Sequence, residues 1–191
     1  MKKTSWIGVI IAAILYCGLF VLASSCGLIH PACYAYAGTF IPLLFSFVYL
    51  YTAAQMQCFG AALVLNGFML IVAVIAGEGN LPFVIGVIIL TLIAEAVRKL
   101  NGYDTLKGVR RSFIPFAFAF YAYAAHWWTN TEGSLAEAVE EMPAGYADKM
   151  DVVIRNIPIL ILMLVLTIPI AMLGIRIAEK VLQKQAAKLA R

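Results

Sequence analysis

The amino-acid sequence predicts an all-α integral membrane protein with six transmembrane helices and both termini in the cytoplasm. Hydrophobic residues make up 63% of the chain and charged residues only 13%, with a mean hydropathy of +0.93. Soluble domains carry about 25% charged residues, so this composition excludes an ordinary soluble protein. Apolar windows long enough to cross a bilayer give the number of spans, and the distribution of basic residues gives their direction.

The six spans are predicted to form one domain, because no linker, internal repeat or low-complexity segment divides the chain. A transmembrane helix needs roughly 17–25 apolar residues. The alternating pattern of membrane strands is missing, and backbone polar groups in lipid must be paired internally, so helices are predicted. The spans are expected at about 6–23, 34–53, 59–76, 81–97, 113–128 and 157–177.

Basic residues predict the orientation, because lysine and arginine concentrate on the cytoplasmic side of membrane proteins. With six spans, 12 of the 14 basic residues fall in the two termini and the loop between spans four and five. The exceptions, Lys149 and Arg155, lie in the long loop 129–156. A count of five or seven spans would divide the basic loops between both sides. Glu95, near the end of span four, is expected to form a surface ion pair with Arg98 and Lys99.

Three loops are predicted on the outer side. The first, 24–32, has no charge, and the second is the short turn GEGN at 77–80. In the third, 129–156, Ser134 and Glu137 have the spacing of a capping box, and apolar residues follow at helical intervals. A short amphipathic helix is therefore expected before Pro143. It would act either as a lid or as a simple connection between spans.

The segment VLASSCGLIHPACYAY, 21–36, fits four interpretations: a cleavage site, a disulfide loop, a metal site or a loop over a ligand. The preceding apolar run is about 18 residues, longer than the 7–15 of a signal peptide, so cleavage is the weaker interpretation. Cys26 and Cys33 are candidates for a disulfide in an oxidising compartment. With His30 they offer three metal ligands without a fourth, so no metal site is expected. The cysteines are best interpreted as possible cross-links in a loop that covers the ligand.

The outer end of span five, FYAYAAHWWTN at 120–130, is rich in aromatic residues. Tyrosine and tryptophan favour membrane interfaces because they are amphipathic. An ionisable group inside a span, such as His126, usually faces a bundle interior or a cavity. Helical spacing places Tyr123 and His126 on neighbouring surface, with Asn130 one turn further. A ligand-facing His126 competes with two plainer interpretations, packing and interfacial anchoring.

The sequence contains no motif for nucleotide hydrolysis, zinc proteolysis or thiol redox chemistry. G-x-x-x-x-G-K-[ST], H-E-x-x-H and C-x-x-C are all absent. His126 and Asn130 form H-x-x-x-N, and Glu140-Glu141 is a diglutamate, both fragments of intramembrane CAAX-type proteases. The diglutamate lies in an outer loop without the required arginine three residues on. An integral membrane enzyme acting on lipid or lipidated peptide is therefore the alternative hypothesis, and no cofactor is expected.

The motif A-E-x-x-R-K-x-x-G-Y begins at Ala94 and leads into a basic stretch. Gly60 and Gly67 accompany the third span, GEGN precedes the fourth, and Trp127-Trp128 ends the fifth. Together with six spans and inner termini, these features resemble the Trep_Strep family of small bacterial integral membrane proteins. That family resembles the substrate-specificity (S) components of energy-coupling factor (ECF) transporters. The likeness covers nearly the whole chain.

This resemblance implies a substrate-binding subunit in the bacterial cytoplasmic membrane that captures a small nutrient from outside. It implies a transmembrane coupling (T) subunit and two cytosolic ATPases as partners. The residues expected to bind the ligand are His30, Tyr34, Glu78, Asn80, Tyr123, His126, Trp127 and Asn130. The small residues expected at the partner interface are Gly8, Ala12, Ala13 and Cys17. The alternative is that these small residues pack against other helices of the same bundle.

Overall fold

The computed structural model describes residues 5–189, with side chains through Lys184, and this part of the chain is helical without β-strands. Four of the basic residues that predict the orientation lie outside the described side chains: Lys2, Lys3, Lys188 and Arg191. The helices are α1 (Trp6–Ser25), α2 (Pro31–Ala35), α3 (Ala37–Phe40), α4 (Pro42–Gln55), α5 (Ala61–Ile75), α6 (Leu81–Asn101), α7 (Leu106–Phe116), α8 (Ala119–Ala124), α9 (His126–Thr129), α10 (Thr131–Glu141), α11 (Tyr146–Ile154) and α12 (Ile157–Leu189).

Among the described residues, three helical segments are long and apolar enough to cross a membrane: Trp6–Leu28, Leu81–Asn101 and Ile157–Lys184. They coincide with the first, fourth and sixth predicted spans. The first includes a short 3-10 turn that follows α1 directly. The third predicted span forms the shorter apolar helix α5. These segments establish an all-helical protein with apolar helices of membrane-spanning length.

The second and fifth predicted spans are each broken into three short helices. The breaks fall at Tyr36 and Ile41 in one segment, and at 117–118 and Ala125 in the other. Proline contributes to the break at Ile41, because Pro42 starts α4 and has no N–H to donate to a helical hydrogen bond. Near the first break, Thr39 Oγ1 donates to the carbonyl of Met163 in α12 at 3.1 Å. The backbone N–H groups of Tyr36 and Ile41 are paired within the segment itself, with the carbonyls of Ala32 and Ala37. Broken helices are tolerated in a membrane when such groups are satisfied.

The core combines closely packed, tilted aromatic rings with a short chain of hydrogen-bonded polar side chains. The ring centroid of Tyr16 lies 4.6 Å from that of Phe45 and 5.3 Å from that of Phe116. The Tyr16 hydroxyl donates to Asn66 Oδ1 at 2.8 Å, and Asn66 Nδ2 donates to Thr91 Oγ1 at 2.9 Å. All five side chains are buried. The hydrogen bonds tie α1, α5 and α6 together, because a buried polar group left unpaired is costly.

A buried carboxylate near the end of α6 caps the start of α5. Glu95 is 2% exposed and accepts the backbone N–H groups of Gly60 at 3.1 Å and Ala62 at 2.7 Å. Gly60 adopts a φ of 120°, which favours glycine, and this turn aims both N–H groups at the carboxylate. A negative charge is favourable at a helix N-terminus, where backbone N–H groups lack partners.

Arg98, one turn further along α6, caps the end of α4. Its fully buried guanidinium donates to four carbonyl oxygens at 2.6–3.4 Å. These carbonyls belong to Ala53, Met56, Cys58 and Tyr103. The predicted surface ion pair of Glu95 with Arg98 and Lys99 is therefore wrong. The loop between α4 and α5 covers this face of α6 and buries both side chains, while Lys99 remains exposed. Glu95 and Arg98 are called the clamp below.

Candidate functional site

A cavity of about 490 Å³ lies at the opposite end of α6 from the clamp. Because α6 has 21 residues, the two ends are separated by about 30 Å. The end of α1, the turn before α6, and helices α2, α8, α9 and α10 supply the walls. The lining residues are Cys17, Phe20, Val21, Ser24, Ser25, Gly27, Leu28, Tyr34, Met69, Val72, Ala73, Ala76, Glu78, Tyr123, His126, Trp127, Ser134, Glu137, Ala138, Glu141, Met142 and Tyr146.

Aromatic rings from four helices form one side of the cavity. The ring centroid of Tyr123 lies 5.4 Å from that of Phe20 and 6.3 Å from that of Tyr34. Tyr34 in turn lies 6.3 Å from Trp127 in an edge-to-face arrangement. Phe20, Tyr34 and Trp127 are buried, so the rings hold one another in place. This contiguous wall suits a flat or apolar ligand surface.

Glu78 reaches the cavity from the turn between α5 and α6. Gly77 has a φ of 87°, a conformation that favours glycine, and the Glu78 N–H returns to the carbonyl of Ala73 at 2.9 Å. This tight turn brings Glu78 Oε2 to 3.1 Å from the Tyr123 hydroxyl, which donates to it. Glu78 remains exposed, so the carboxylate keeps hydrogen-bonding capacity for water or for a ligand.

His126 is held by Ser134 of α10. The Ser134 hydroxyl donates to the carbonyl of His126 at 3.2 Å, and its oxygen lies 2.9 Å from Nδ1 of the ring. The hydroxyl has one proton, and whichever of the two atoms accepts it, Ser134 Oγ keeps both contacts and fixes the orientation of the ring. The predicted capping box is wrong, because α10 begins at Thr131 and Ser134 lies inside the helix, where it bonds His126 instead.

Helices α10 and α11 form a roof over the cavity. Glu137 and Glu141 of α10 and Tyr146 of α11 contribute to the lining. Burial raises the pKa of the Tyr146 hydroxyl, so it stays protonated. The end of α11 is fastened by two hydrogen bonds to its last carbonyls, from Tyr36 to Val153 and from Trp128 to Ile154, each 3.1 Å long. The roof is thus packed onto the bundle rather than free in solvent.

Five of the eight predicted ligand-binding residues line the cavity together: Tyr34, Glu78, Tyr123, His126 and Trp127. The other three are not among its lining residues. His30 Nδ1 accepts the Ala32 N–H and caps α2, and Asn80 Oδ1 accepts the Phe83 N–H and caps α6. Asn130 precedes α10, with its side chain against Gly133. The side chains of His30 and Asn80 serve the starts of helices, a role that a motif search for ligands does not separate from binding, whereas the side chain of Asn130 makes no cap hydrogen bond.

Sequence reasoning missed several lining residues, including Phe20, Ser134, Glu137 and Glu141. Phe20 looks like any apolar residue of the first span. Ser134 has the spacing of a helix cap, which hid its contact with His126. The signal for Glu137 and Glu141 was present, because a lid-forming amphipathic helix places one face over whatever lies below.

The small residues of α1 that were predicted at a partner interface have different surroundings, and two of them are buried inside the bundle. Ala12 and Ala13 are 4% and 2% exposed. A Cβ at Gly8 would overlap the hydroxyl of Tyr51, so the glycine admits α4 closely. Cys17 lines the cavity instead. The exposed face of α1 carries branched aliphatic residues such as Ile10 and Ile14.

The cysteines of the first loop are free thiols, so the possible disulfide between Cys26 and Cys33 is not formed. Cys26 continues the turn after α1, where its Sγ–H donates to the carbonyl of Leu22 at 3.4 Å. Cys33 is exposed on α2. Within the part of the chain that the structure describes, no three His, Cys, Asp or Glu side chains are grouped as metal ligands.

Comparisons with known proteins agree with this picture at the level of the family. No curated protein and no solved structure matches the chain. The family described as "Hypothetical bacterial integral membrane protein (Trep_Strep)" matches residues 5–188, which include both the clamp and the cavity. The family expected from the motif that begins at Ala94 is confirmed. The chain belongs to the Trep_Strep family of bacterial integral membrane proteins.

Proposed function

We propose that this chain is the substrate-binding membrane subunit of an ECF-type importer, which captures a small nutrient at the outer face. The observation that carries the proposal is the roofed cavity of about 490 Å³, which lies at the end of the bundle that the charge distribution assigns to the outside. Its volume and its aromatic walls with a few polar groups are typical of small-molecule sites.

The proposed topology has six spans with both termini in the cytoplasm of a bacterial cell. The segments 31–55 and 106–129 count as spans because their short helices follow one another with breaks of only one or two residues. At the clamp end, Arg110 of α7 pairs with Glu179 of α12, with Nε 2.7 Å from Oε1. The basic loop between spans four and five thus lies at the end of the bundle opposite the cavity, as positive-inside orientation requires.

Energy in this proposal comes from other proteins. The sequence contains no P-loop, so the chain would depend on two cytosolic ATPases and a transmembrane coupling subunit. Ala12 and Ala13 of α1 are buried within the single chain, which leaves them little surface for a coupling subunit. A partner would instead meet helix faces that are exposed in the single chain.

The proposal is tested by purifying the tagged full-length chain from its native membrane in mild detergent. Mass spectrometry of the eluate should find two ATPases and a coupling protein enriched over a tagged, unrelated membrane protein from the same host. The isolated chain in liposomes should bind ligand but should not accumulate it. Uptake at the cellular rate without partners would contradict the proposal.

The topology is tested separately by cysteine labelling in a variant whose four native cysteines are replaced. Glu140→Cys on α10 should react with a membrane-impermeant maleimide in intact cells. Asp104→Cys, exposed between α6 and α7, should react only after the cells are permeabilised. Labelling of both positions in intact cells would contradict the assignment of the cavity to the outer side.

A further inference from the structure

The charges around the cavity are all of one sign. Glu78, Glu137 and Glu141 line it, and no lysine or arginine is among the described lining residues. The three carboxylates belong to exposed residues, whereas Phe20, Tyr34 and Trp127 are buried. The acids therefore occupy the open side and the rings occupy the deeper wall. A site of this kind attracts positive charge and places it against aromatic faces.

Basic residues near the roof are directed elsewhere. Arg155 of α11 pairs with Asp151 at 2.6 Å and with Glu132 at 3.4 Å, on a surface depression separate from the cavity. Lys149 is exposed and is not a lining residue. The segment 129–156 as a whole contains six acidic and two basic residues. Long-range attraction and the local lining therefore favour the same sign of ligand charge.

One buried donor in the cavity wall lacks a partner. Trp127 is 6% exposed, lines the cavity, and its Nε1–H has no hydrogen bond. The Nε1 atom has almost no accessible surface and lies beside the Tyr34 hydroxyl, so this donor belongs to the packing of the wall and does not face the ligand space. His126, whose Nδ1 is engaged by Ser134, lies beside it with ring centroids 5.1 Å apart.

We propose that the ligand of this cavity is a small organic cation, an amine or quaternary ammonium compound with an apolar body. The aromatic wall would hold the cation by cation–π attraction, and the three carboxylates would supply the countercharge. This inference names the substrate class of the proposed importer and in that sense rests on it. Inorganic cations are disfavoured, because they would leave the aromatic wall unused.

The test measures binding of three related probes to the purified full-length protein by equilibrium dialysis: benzyltrimethylammonium, benzyl alcohol and phenylacetate. The cation should bind at least about tenfold more tightly than the alcohol, since cation–π and carboxylate contacts act on it alone. Phenylacetate should bind more weakly still. Equal or tighter binding of the alcohol or the anion would overturn the proposal, as would no binding of any probe. Displacement of the bound cation by equimolar magnesium, beyond the effect of ionic strength, would also overturn it.

Charge-neutralising variants locate the effect. Glu137→Gln combined with Glu141→Gln should reduce the preference for the cation over the alcohol by about tenfold. Glu140→Gln is the matched control, because Glu140 is an exposed acid of the same helix that does not line the cavity. A reduction by Glu140→Gln as large as that of the double variant would overturn the proposal. Both variants lie on an exposed helix surface, so their folding is checked by thermal unfolding.

The ligand class and the importer function can be rejected independently of each other. Cation binding without co-purified ATPases would keep the ligand class and reject the importer. Co-purified ATPases with a preference for the neutral or anionic probe would keep the importer and reject the ligand class. Small molecules extracted from the purified protein give an independent check, because a retained natural ligand should carry positive charge at pH 7.

Discussion

The clamp and the cavity place polar side chains at opposite ends of α6 under opposite conditions. Glu95 and Arg98 are almost fully buried, and every carboxylate oxygen of Glu95 has a backbone partner. Glu78, before the start of the same helix, is exposed and its recorded partner is the Tyr123 hydroxyl. The difference distinguishes a structural role from a binding role. At the clamp both Glu95 oxygens and both terminal nitrogens of Arg98 have backbone partners, with only Arg98 Nε unpaired, and these bonds fix the fold. Acids at an open cavity keep hydrogen-bonding capacity for a ligand.

The comparison predicts its largest effect at the clamp. Arg98→Ala should lower the free energy of unfolding by about 3–5 kcal/mol, because four carbonyl groups lose their donor and Glu95 remains as a buried charge. Denaturant unfolding of the protein in detergent micelles, followed by circular dichroism, measures this loss. Lys99→Ala, at the exposed neighbouring position, should change stability by less than about 0.5 kcal/mol. Similar losses for both variants would contradict a structural clamp.

A smaller effect is expected midway between the two ends. Tyr16→Phe removes the hydroxyl that donates to Asn66 and leaves a buried amide oxygen without that partner. The expected loss is about 1–3 kcal/mol, the usual cost of an unpaired buried polar group. The same unfolding measurement tests it. Tyr51→Phe, which removes a hydroxyl from a partly exposed tyrosine, serves as the control and should cost less. A reversed order would show that the polar chain across α1, α5 and α6 is dispensable.

At the cavity end, a substitution should affect ligand binding more than stability. His126→Ala should cost only about 1 kcal/mol of stability, because it removes one partly buried hydrogen bond to Ser134. The affinity for benzyltrimethylammonium should fall by at least about fivefold, since the ring lines the cavity. His30→Ala is the matched control: this exposed histidine caps α2 and is not a lining residue. Unchanged affinity in His126→Ala would assign His126 to packing alone.

The smallest effect concerns the thiols near the cavity. Cys26 and Cys33 are free, so adding a reductant should leave the unfolding temperature unchanged. Intact-mass measurement after unfolding in excess maleimide should show additions at all four cysteines of the chain. Two missing additions, restored by prior reduction, would identify a disulfide and would make the cavity end more rigid than the structure indicates.

Hydropathy and charge predicted the helical membrane class, and the motif beginning at Ala94 predicted the family. The sequence did not predict what that motif does. Glu95 and Arg98 have the spacing of a helix-surface ion pair, but the covering loop between α4 and α5 is distant in sequence. Spacing along one helix cannot reveal a contact made by another part of the chain.

The lining residues of the cavity were predicted correctly where the side chain had no structural role, such as capping a helix, that competes with ligand binding. Tyr34, Tyr123 and Trp127 were chosen as aromatic residues at the outer ends of spans, and they line it. Asn80 and His30 were chosen as polar residues next to spans, but both cap helices. Polar residues beside a helix start satisfy unpaired N–H groups as often as they bind ligands. Composition alone does not distinguish these two uses.

The clamp also has a consequence for the order in which the protein is made. The backbone groups between α4 and α5 that it satisfies are synthesised well before it: Glu95 follows Gly60 by 35 positions, and Arg98 follows Ala53 by 45. Because synthesis adds about 5–20 residues per second, several seconds pass between the synthesis of this loop and that of Glu95 and Arg98. Until α6 arrives, the hairpin of α4 and α5 keeps unpaired polar groups and cannot settle in a dry environment. Residues late in α6 therefore complete a structure that begins much earlier in the chain.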